Sequence, residues 1–371
     1  MELLECLQTI VDPRRPQGRL YPLAPLLCIA VLAVLTGANS YRKIARFTAA
    51  HRVRLNAWLG LKWQRAPAHT AIRYAFVKLS PEAVEAAFRA HSAALAAECD
   101  HPEDCIAVDG KALKGSFDAM ADPRAAQVLS AFTHTQQLIL GHVSIQEKSN
   151  EIPAAQQLIE ALGLRGRVFT LDAEHCQKKT FEVARATGNH LIVQVKGNQP
   201  KLLKQVRALA REAPALSTHR QHDHARQRIE RREVRVFAAA ALPPEWDGLS
   251  HTVIEVQRSR DKFYPKRGEW RKTQETAYYA SDCEPMVGAQ SYAQAIRGHW
   301  SIENRQHYVR DVSLGEDRSR IRHNPGIFAR MRSFALNLLR SSGVTNIAEA
   351  LYDNALNLDR ILGYVGVVQE H

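Results

Sequence analysis

The chain is 371 residues long and carries 50 Lys and Arg against 38 Asp and Glu, a formal net charge of +12. That length can bury a full core and favours two or three domains over one, and the basic balance favours a polyanionic partner or substrate. The six cysteines are scattered with no Cys-x-x-Cys pair, which argues against a zinc ribbon or a disulfide scaffold and suits a reducing compartment.

In chain order, the N-terminus lacks the cationic start of a secretory signal. The longest apolar run, Leu23 to Ala38, contains Pro25 and falls short of the roughly 20 residues that span a bilayer. It reads as a buried helix, Leu23 to Thr36, stopped by Gly37, in a cytoplasmic protein with no membrane partner. Ser40 caps a short amphipathic helix from Tyr41 to about His51, a second runs from Val53 to Leu59, and a third follows Thr70 to about Lys78. Three short helices with Arg and Lys on their outer faces fit a helix-turn-helix, or equally a plain helical bundle with solvated basic faces. Ser80-Pro81-Glu82 opens a longer helix to about Cys99, and His101-Pro102 reads as a linker.

From Cys105 the rhythm changes. Ile106-Ala107-Val108 predicts a short buried strand ending at Asp109, with a turn at Gly110 and the cations Lys111 and Lys114 just behind. Strands follow at Ala126 to Thr135 and Gln137 to Ile145, then a helix from Ala154 to Leu162. Val168 to Leu171 is a strand that delivers Asp172, before a helix from about His175 to Thr187 and a strand from His190 to Val195. Three strands, helix, strand, helix, strand is the order of a ribonuclease-H-like domain, in which the ends of the first and fourth strands are neighbours. Asp109 and Asp172 fall at those two ends.

A helix from Lys201 to about Ala213 leads into a strongly basic stretch. Strand-like runs at Val234–Phe237, Thr252–Gln257 and Glu275–Ala280 predict a β-rich insertion, with Lys262, Lys266, Arg267, Arg271 and Lys272 in a loop. His219, His222 and His224 lack a partner Cys pair and read as part of a solvated basic loop. Ser291 begins a helix in which His299 and Glu303, four apart, share a face, and another helix runs from Pro325 to Leu339. The expected fold class is α/β (α+β): a helical N-terminal DNA-binding domain at 1–100, a ribonuclease-H-like catalytic core from 104–215, the basic insertion at 216–287, and C-terminal helices at 288–371 that complete the core.

Cutting or transferring a DNA phosphodiester requires a nucleophile, a stabilised leaving oxygen and neutralised phosphate charge. Two Mg2+ ions roughly 3.5–4 Å apart, held by two or three carboxylates, supply all three. Asp109 and Asp172 are two candidates. The third comes from Glu303, Glu316 or Asp317; Glu303 is favoured because packing beside Trp300 and Ile302 would fix its rotamer, whereas Glu316 and Asp317 follow Gly315 as a solvated acidic pair.

Five stretches carry a resemblance. They are Val108-Asp109-Gly110-Lys111 with Lys114-Gly115-Ser116; Lys148-Ser149-Asn150-Glu151-Ile152-Pro153; Leu171-Asp172-Ala173 with His175 and Gln177; Val195-Lys196-Gly197-Asn198-Gln199-Pro200; and His299-Trp300-Ser301-Ile302-Glu303-Asn304 with His307 and Asp311-Val312. In that order, and with the opening Asp12-Pro13-Arg14, the series resembles the H-repeat-associated, ISAs-type insertion-sequence transposases of the Asp-Asp-Glu (DDE) group. The resemblance implies a ribonuclease-H-like domain with an insertion before the Glu, Asp109, Asp172 and Glu303 as catalytic and metal-binding carboxylates, and Mg2+ as cofactor, with Mn2+ able to substitute. It implies double-stranded DNA as partner, both element terminal inverted repeats and target, and a homo-oligomer in the synaptic complex. A Tyr, Arg, Lys signature around the Glu falls here on Ile296, His299 and Arg310, and a His-Gly-Arg-Ile-Glu segment survives as Arg228-Ile229-Glu230. Lys111, Lys114, Lys196, Arg228, Arg232, His299 and Arg310 are the expected DNA contacts. Two alternatives stay open: a catalytically silent or domesticated DNA-binding protein, and a ribonuclease-H-like nuclease without strand transfer.

Overall fold

The structure, a computed structural model, describes residues 2–97, 105–114, 125–145, 151–225, 227–240, 242–265, 267–285 and 288–367. The expected linker His101-Pro102 and the motif residues Gly115-Ser116 and Lys148-Ser149-Asn150 lie outside the described residues, as do Arg226 and Lys266. Helices α1 (Leu3–Gln8), α2 (Leu23–Val34), α3 (Tyr41–Trp58), α4 (His69–Lys78) and α5 (Pro81–Ala97) precede strands β1 (Ile106–Ala112), β2 (Gln127–Thr133) and β3 (Ile139–Ile145). Next come α6 (Glu151–Leu162), β4 (Val168–Leu171), α7 (Lys178–Ala186), β5 (His190–Val195) and α8 (Pro200–Glu212). Four long strands follow, β6 (Ser217–Ala225), β7 (Arg228–Ala238), β8 (Thr252–Tyr264) and β9 (Glu269–Ser281), then α9 (Ala289–His299), α10 (Pro325–Ser341), α11 (Ile347–Leu356) and α12 (Asp359–Leu362). The chain divides into two units, one of Met1–Pro102, Gly110–Ala154 and Ile302–His371, the other of Glu103–Asp109 and Ala155–Ser301.

The first unit is built on α2. By length and composition its stretch Pro16–Val34 could cross a membrane, but α2 is enclosed by α1, α3 and α10, and Leu26 to Leu35 are almost wholly buried. α10 also lies on α5, where Phe88 and Phe334 meet edge to face with ring centroids 5.0 Å apart. Strand β3 is pinned to this helix pair by polar groups. Asn337 accepts from Ile139 N at 2.9 Å and donates to Ile139 O at 2.8 Å, and the buried Glu85 carboxylate takes His142 N and Arg330 Nε.

In this unit two expectations fail. The stretch read as two short helices, breaking near His51, is the single helix α3, because His51-Arg52-Val53 holds no Gly or Pro and the Ile44, Phe47, Thr48, Leu55 stripe continues through it. The connection from Leu59 to Ala68 then greatly exceeds the turn of about three to four residues that joins a helix-turn-helix. Nor does β1 stop at Asp109; it runs on through Gly110 to Ala112.

In the second unit the strand order is β1-β4-β5-β9-β8-β7-β6. β1, β4 and β5 are parallel, and β9 joins β5 antiparallel, so the basic segment extends the same sheet by an antiparallel meander. Its strands are longer than predicted, and the expected loops around His219–His224 and Lys262–Lys272 are mostly strand. Charged residues hid them: both faces of these strand ends are solvated, so no apolar alternation marks them. α9 covers the near half of one face, where Val234, Val236, Ile254 and Tyr279 close on Tyr292, Ala295 and Ile296.

Candidate active site

β1 and β4 pair with Ile106 opposite Phe169 and Ala107 opposite Thr170. Asp109 and Asp172 each follow two residues after the second of these pairs. Asp172 follows the C-terminal end of β4, and Asp109 lies within β1 just past the residues that pair with β4. Asp109 is half-buried and Asp172 exposed. One Asp172 oxygen accepts from Glu174 N at 3.0 Å and lies 3.9 Å from Nε2 of the buried His175. Behind this turn, Asn198 donates to Ala173 O at 2.6 Å and Gln199 to Cys176 O at 2.8 Å. The Lys-Gly-Asn-Gln-Pro motif thus braces the loop that carries Asp172.

His299, at the last turn of α9, meets Thr170 Oγ1 through Nδ1 at 3.0 Å, two residues before Asp172. Burial pushes its pKa down to about 4 against the pull of Asp172. Burial thus works against a charge on this imidazole, whose Nδ1 is engaged by Thr170. Among the other expected contacts, Lys114 and Lys196 are exposed, Lys114 lying 3.2 Å from Asp317, while Arg228 is exposed and Arg232 half-buried on β7.

Glu303 belongs to the first unit. Glu303 is exposed in a π-helical turn, Ile302–His307, continued by a second such turn, Val309–Ser313. Ile302, next to Glu303, is buried. α9 ends at His299, before this turn begins. Wide π turns recur at functional sites because the extra residue re-aims side chains.

Lys111 and Arg310, expected on DNA, are buried instead. Lys111 Nζ pairs with Asp311 and lies 3.9 Å from Glu316, Arg310 meets Glu316 at 2.9 Å, and Arg332 lies 3.6 Å from the same carboxylate. Burial works to raise the Glu316 pKa, but Arg310 and Arg332 outweigh it and the carboxyl is held below its ordinary value. Glu316, read as solvated, is thus the anionic centre of a buried cation cluster. The sequence signal was available: Lys111 and Leu113 follow Asp109 at strand spacing. Gly110, between them, lies against the carboxylate end of Glu151 in the Lys-Ser-Asn-Glu-Ile-Pro motif: a Cβ there would meet Oε1, and the Glu151 side chain would have to move aside.

The donors that could hold a metal at the Asp109–Asp172 edge are carboxylate oxygens, the hard ligands that suit Mg2+ or Mn2+. His190, Asp282 and Cys283 also cluster, but at the opposite end of the strands. There Asp282 accepts from Leu191 N at 2.7 Å and burial pushes the Cys283 thiol up to about 11, so the group ties β5 to the end of β9.

Residues 100–339 match the family described as the transposase DDE domain, and residues 4–92 match the segment described as DDE_Tnp_1-associated. The chain belongs to the DDE transposase family. Among its relatives, "H repeat-associated putative transposase YhhI" of Escherichia coli K12 is 29% identical over 92% of this chain and 91% of its own length. "Putative transposase YncI" of Escherichia coli O157:H7 is 31% identical over 91% and 87%. A piggyBac transposase synaptic complex with hairpin DNA aligns over 99% of this chain and 84% of its own at a TM-score of 0.42 and 10% identity.

Proposed function

We propose that this transposase binds the ends of its element as duplex DNA and carries out divalent-metal-dependent strand cleavage and transfer on a ribonuclease-H-like core. The observation that supports the reading is the β1–β4 register, Ile106 opposite Phe169 and Ala107 opposite Thr170, with Asp109 and Asp172 each two residues further on. Asp109, Asp172 and Glu303 would hold Mg2+, which when bound supplies charge neutralisation and an activated oxygen nucleophile. The carboxylates take ligand places, burial works against a charge on His175 and His299 beside Asp172, and Asn198 and Gln199 keep its loop in place. The N-terminal helices, with Arg42, Lys43, Arg46 and Arg54 exposed on α3, are a second DNA-binding surface. The protein works in the cytoplasm as an oligomer that brings two ends together.

The test uses purified full-length protein, element-end duplexes and Mg2+ or Mn2+. Asp109→Asn, Asp172→Asn and Glu303→Gln should each abolish cleavage while the DNA shift persists. Full cleavage by any one variant removes that residue from the site. A wild-type protein that shifts DNA without nicking it is a binder, and one that leaves only free cut ends is a nuclease.

A further inference from the structure

The two faces of the β7–β9 meander carry different charge. In antiparallel ladders, directly opposed residues share a face. Val234 opposes Val256, which opposes Ala277, and this is the face that α9 covers. Beyond the end of α9, the same face continues as Arg232, Arg258 and Glu275, then Glu230 and Arg260, then Arg228, Lys262 and Arg271. Six cations stand here against two carboxylates. Asp223 and Glu269, also on this side, are offset by Arg297 at 3.0 Å and Arg267 at 3.7 Å. Four positive charges remain.

On the other face Arg231 pairs with Asp261 at 2.7 Å, Arg220 with Glu233 at 3.0 Å, and Arg235 with Glu255. Lys272 opposes Asp261 in the ladder, and a single positive charge remains. The aromatic pair Phe263 and Trp270, ring centroids 5.4 Å apart, also lies on this second face.

The cationic face is also preordered. Glu230 is only 3% exposed, yet Arg232 pairs with it, and Arg260 and Arg228 lie 3.7 and 3.9 Å away. One buried carboxylate thus sets three guanidinium groups in a row, and each keeps part of its surface open to water. Arginines fixed before contact lose less freedom when they meet phosphate.

We propose that the α9-side face of the distal meander is a docking surface for the sugar-phosphate backbone of duplex DNA. This rests on the DNA-binding reading above and names the surface that serves it. From Arg258 to Lys262 the strand advances about 13 Å. At one phosphate per roughly 1.7 Å of duplex axis that length carries about eight phosphates, of which about half face the protein. The four net charges match them. Single strands are gripped by stacking bases on aromatic rings. On this face the Tyr264 ring is covered by Lys262 at 5.1 Å, and the row of fixed guanidinium groups favours a regular phosphate backbone.

The experiment measures the salt dependence of binding to a labelled duplex by fluorescence anisotropy, with full-length protein between 50 and 200 mM salt. Arg228→Gln/Arg260→Gln/Lys262→Gln should flatten the log–log slope by up to about 2.7, and Arg220→Gln/Arg231→Gln/Lys272→Gln by about 0.9 at most. Because the first set disturbs Glu230, Lys262→Gln/Arg271→Gln is measured beside it and should flatten the slope by up to about 1.8. If wild type binds and Lys262→Gln/Arg271→Gln keeps the full slope, or the second-face set loses as much as the first, the face assignment falls alone. Equal slope losses on a single-stranded probe overturn the choice of duplex. A wild type that binds no duplex overturns the DNA-binding reading and this proposal together.

Discussion

Glu316 has almost no access to water and three cations around it, so its charge can be tested in isolation. Glu316→Gln keeps the shape and removes the charge, leaving Lys111, Arg310 and Arg332 to share Asp311. Removing one partner from a buried ion cluster costs about 3–5 kcal/mol, and the urea midpoint should fall accordingly. Because the Glu316 carboxyl is held below its ordinary value of 4.5, its contribution is complete above that pH. It is lost only as the pH falls through the lowered value. The gap between variant and wild type should therefore stay constant from pH 8 to 5 and close in acid. A variant as stable as wild type at pH 7 would show that the cluster is dispensable. Lys111 and Arg310, whose charges look like DNA contacts in the sequence, are both paired with carboxylates of this cluster.

Among the elements, α3 gives the sharpest contrast between a sequence reading and the fold. If a helix broke near His51, Val53 would be the first residue of the next one, and Pro would fit there at little cost. In the continuous α3, Val53 is interior and 73% exposed. Val53→Pro then removes a backbone donor and clashes with the carbonyl one turn back, at about 3 kcal/mol or more, with little lost packing. Thermal denaturation followed by circular dichroism reads this directly, and an unchanged midpoint would restore the two-helix arrangement. Strands and helices with buried faces were legible: β4 and β5 match their apolar runs, and Ser80 caps α5 by accepting from Ala83 N at 3.1 Å. β6 and the outer halves of β8 and β9 were not, because their side chains meet water on both faces. Of the candidate site, the edge bearing Asp109 and Asp172 could be read from two apolar runs that each end in Asp. The surroundings of Glu303 could not, since π turns break the spacing on which a helical face is counted.

Across the whole molecule, several histidines are held neutral by burial. His91 is the clearest: it has no exposed surface, faces Phe334 and Gly366 O, and its pKa is pushed down to about 4. His307 is pushed down to about 3, by burial and then by Arg310 and Lys111, and His299 to about 4. Once unfolded, each would take up a proton near pH 6.5. Between that pH and their folded values the unfolded chain binds more protons than the native one, so stability rises with pH across this window and is fully present above it. Each histidine steepens the slope by at most about 1.4 kcal/mol per pH unit. Asp311, whose carboxyl burial raises despite Lys111, works in the opposite sense and reduces the net effect. The urea midpoint should accordingly fall as the pH is lowered from 7 to 5, in a range where carboxylates of ordinary pKa stay ionised. His91→Gln, which keeps a donor toward Gly366 O but cannot titrate, should flatten that fall. If the wild-type midpoint does not move between pH 7 and 5, the histidines are not held neutral by the folded chain.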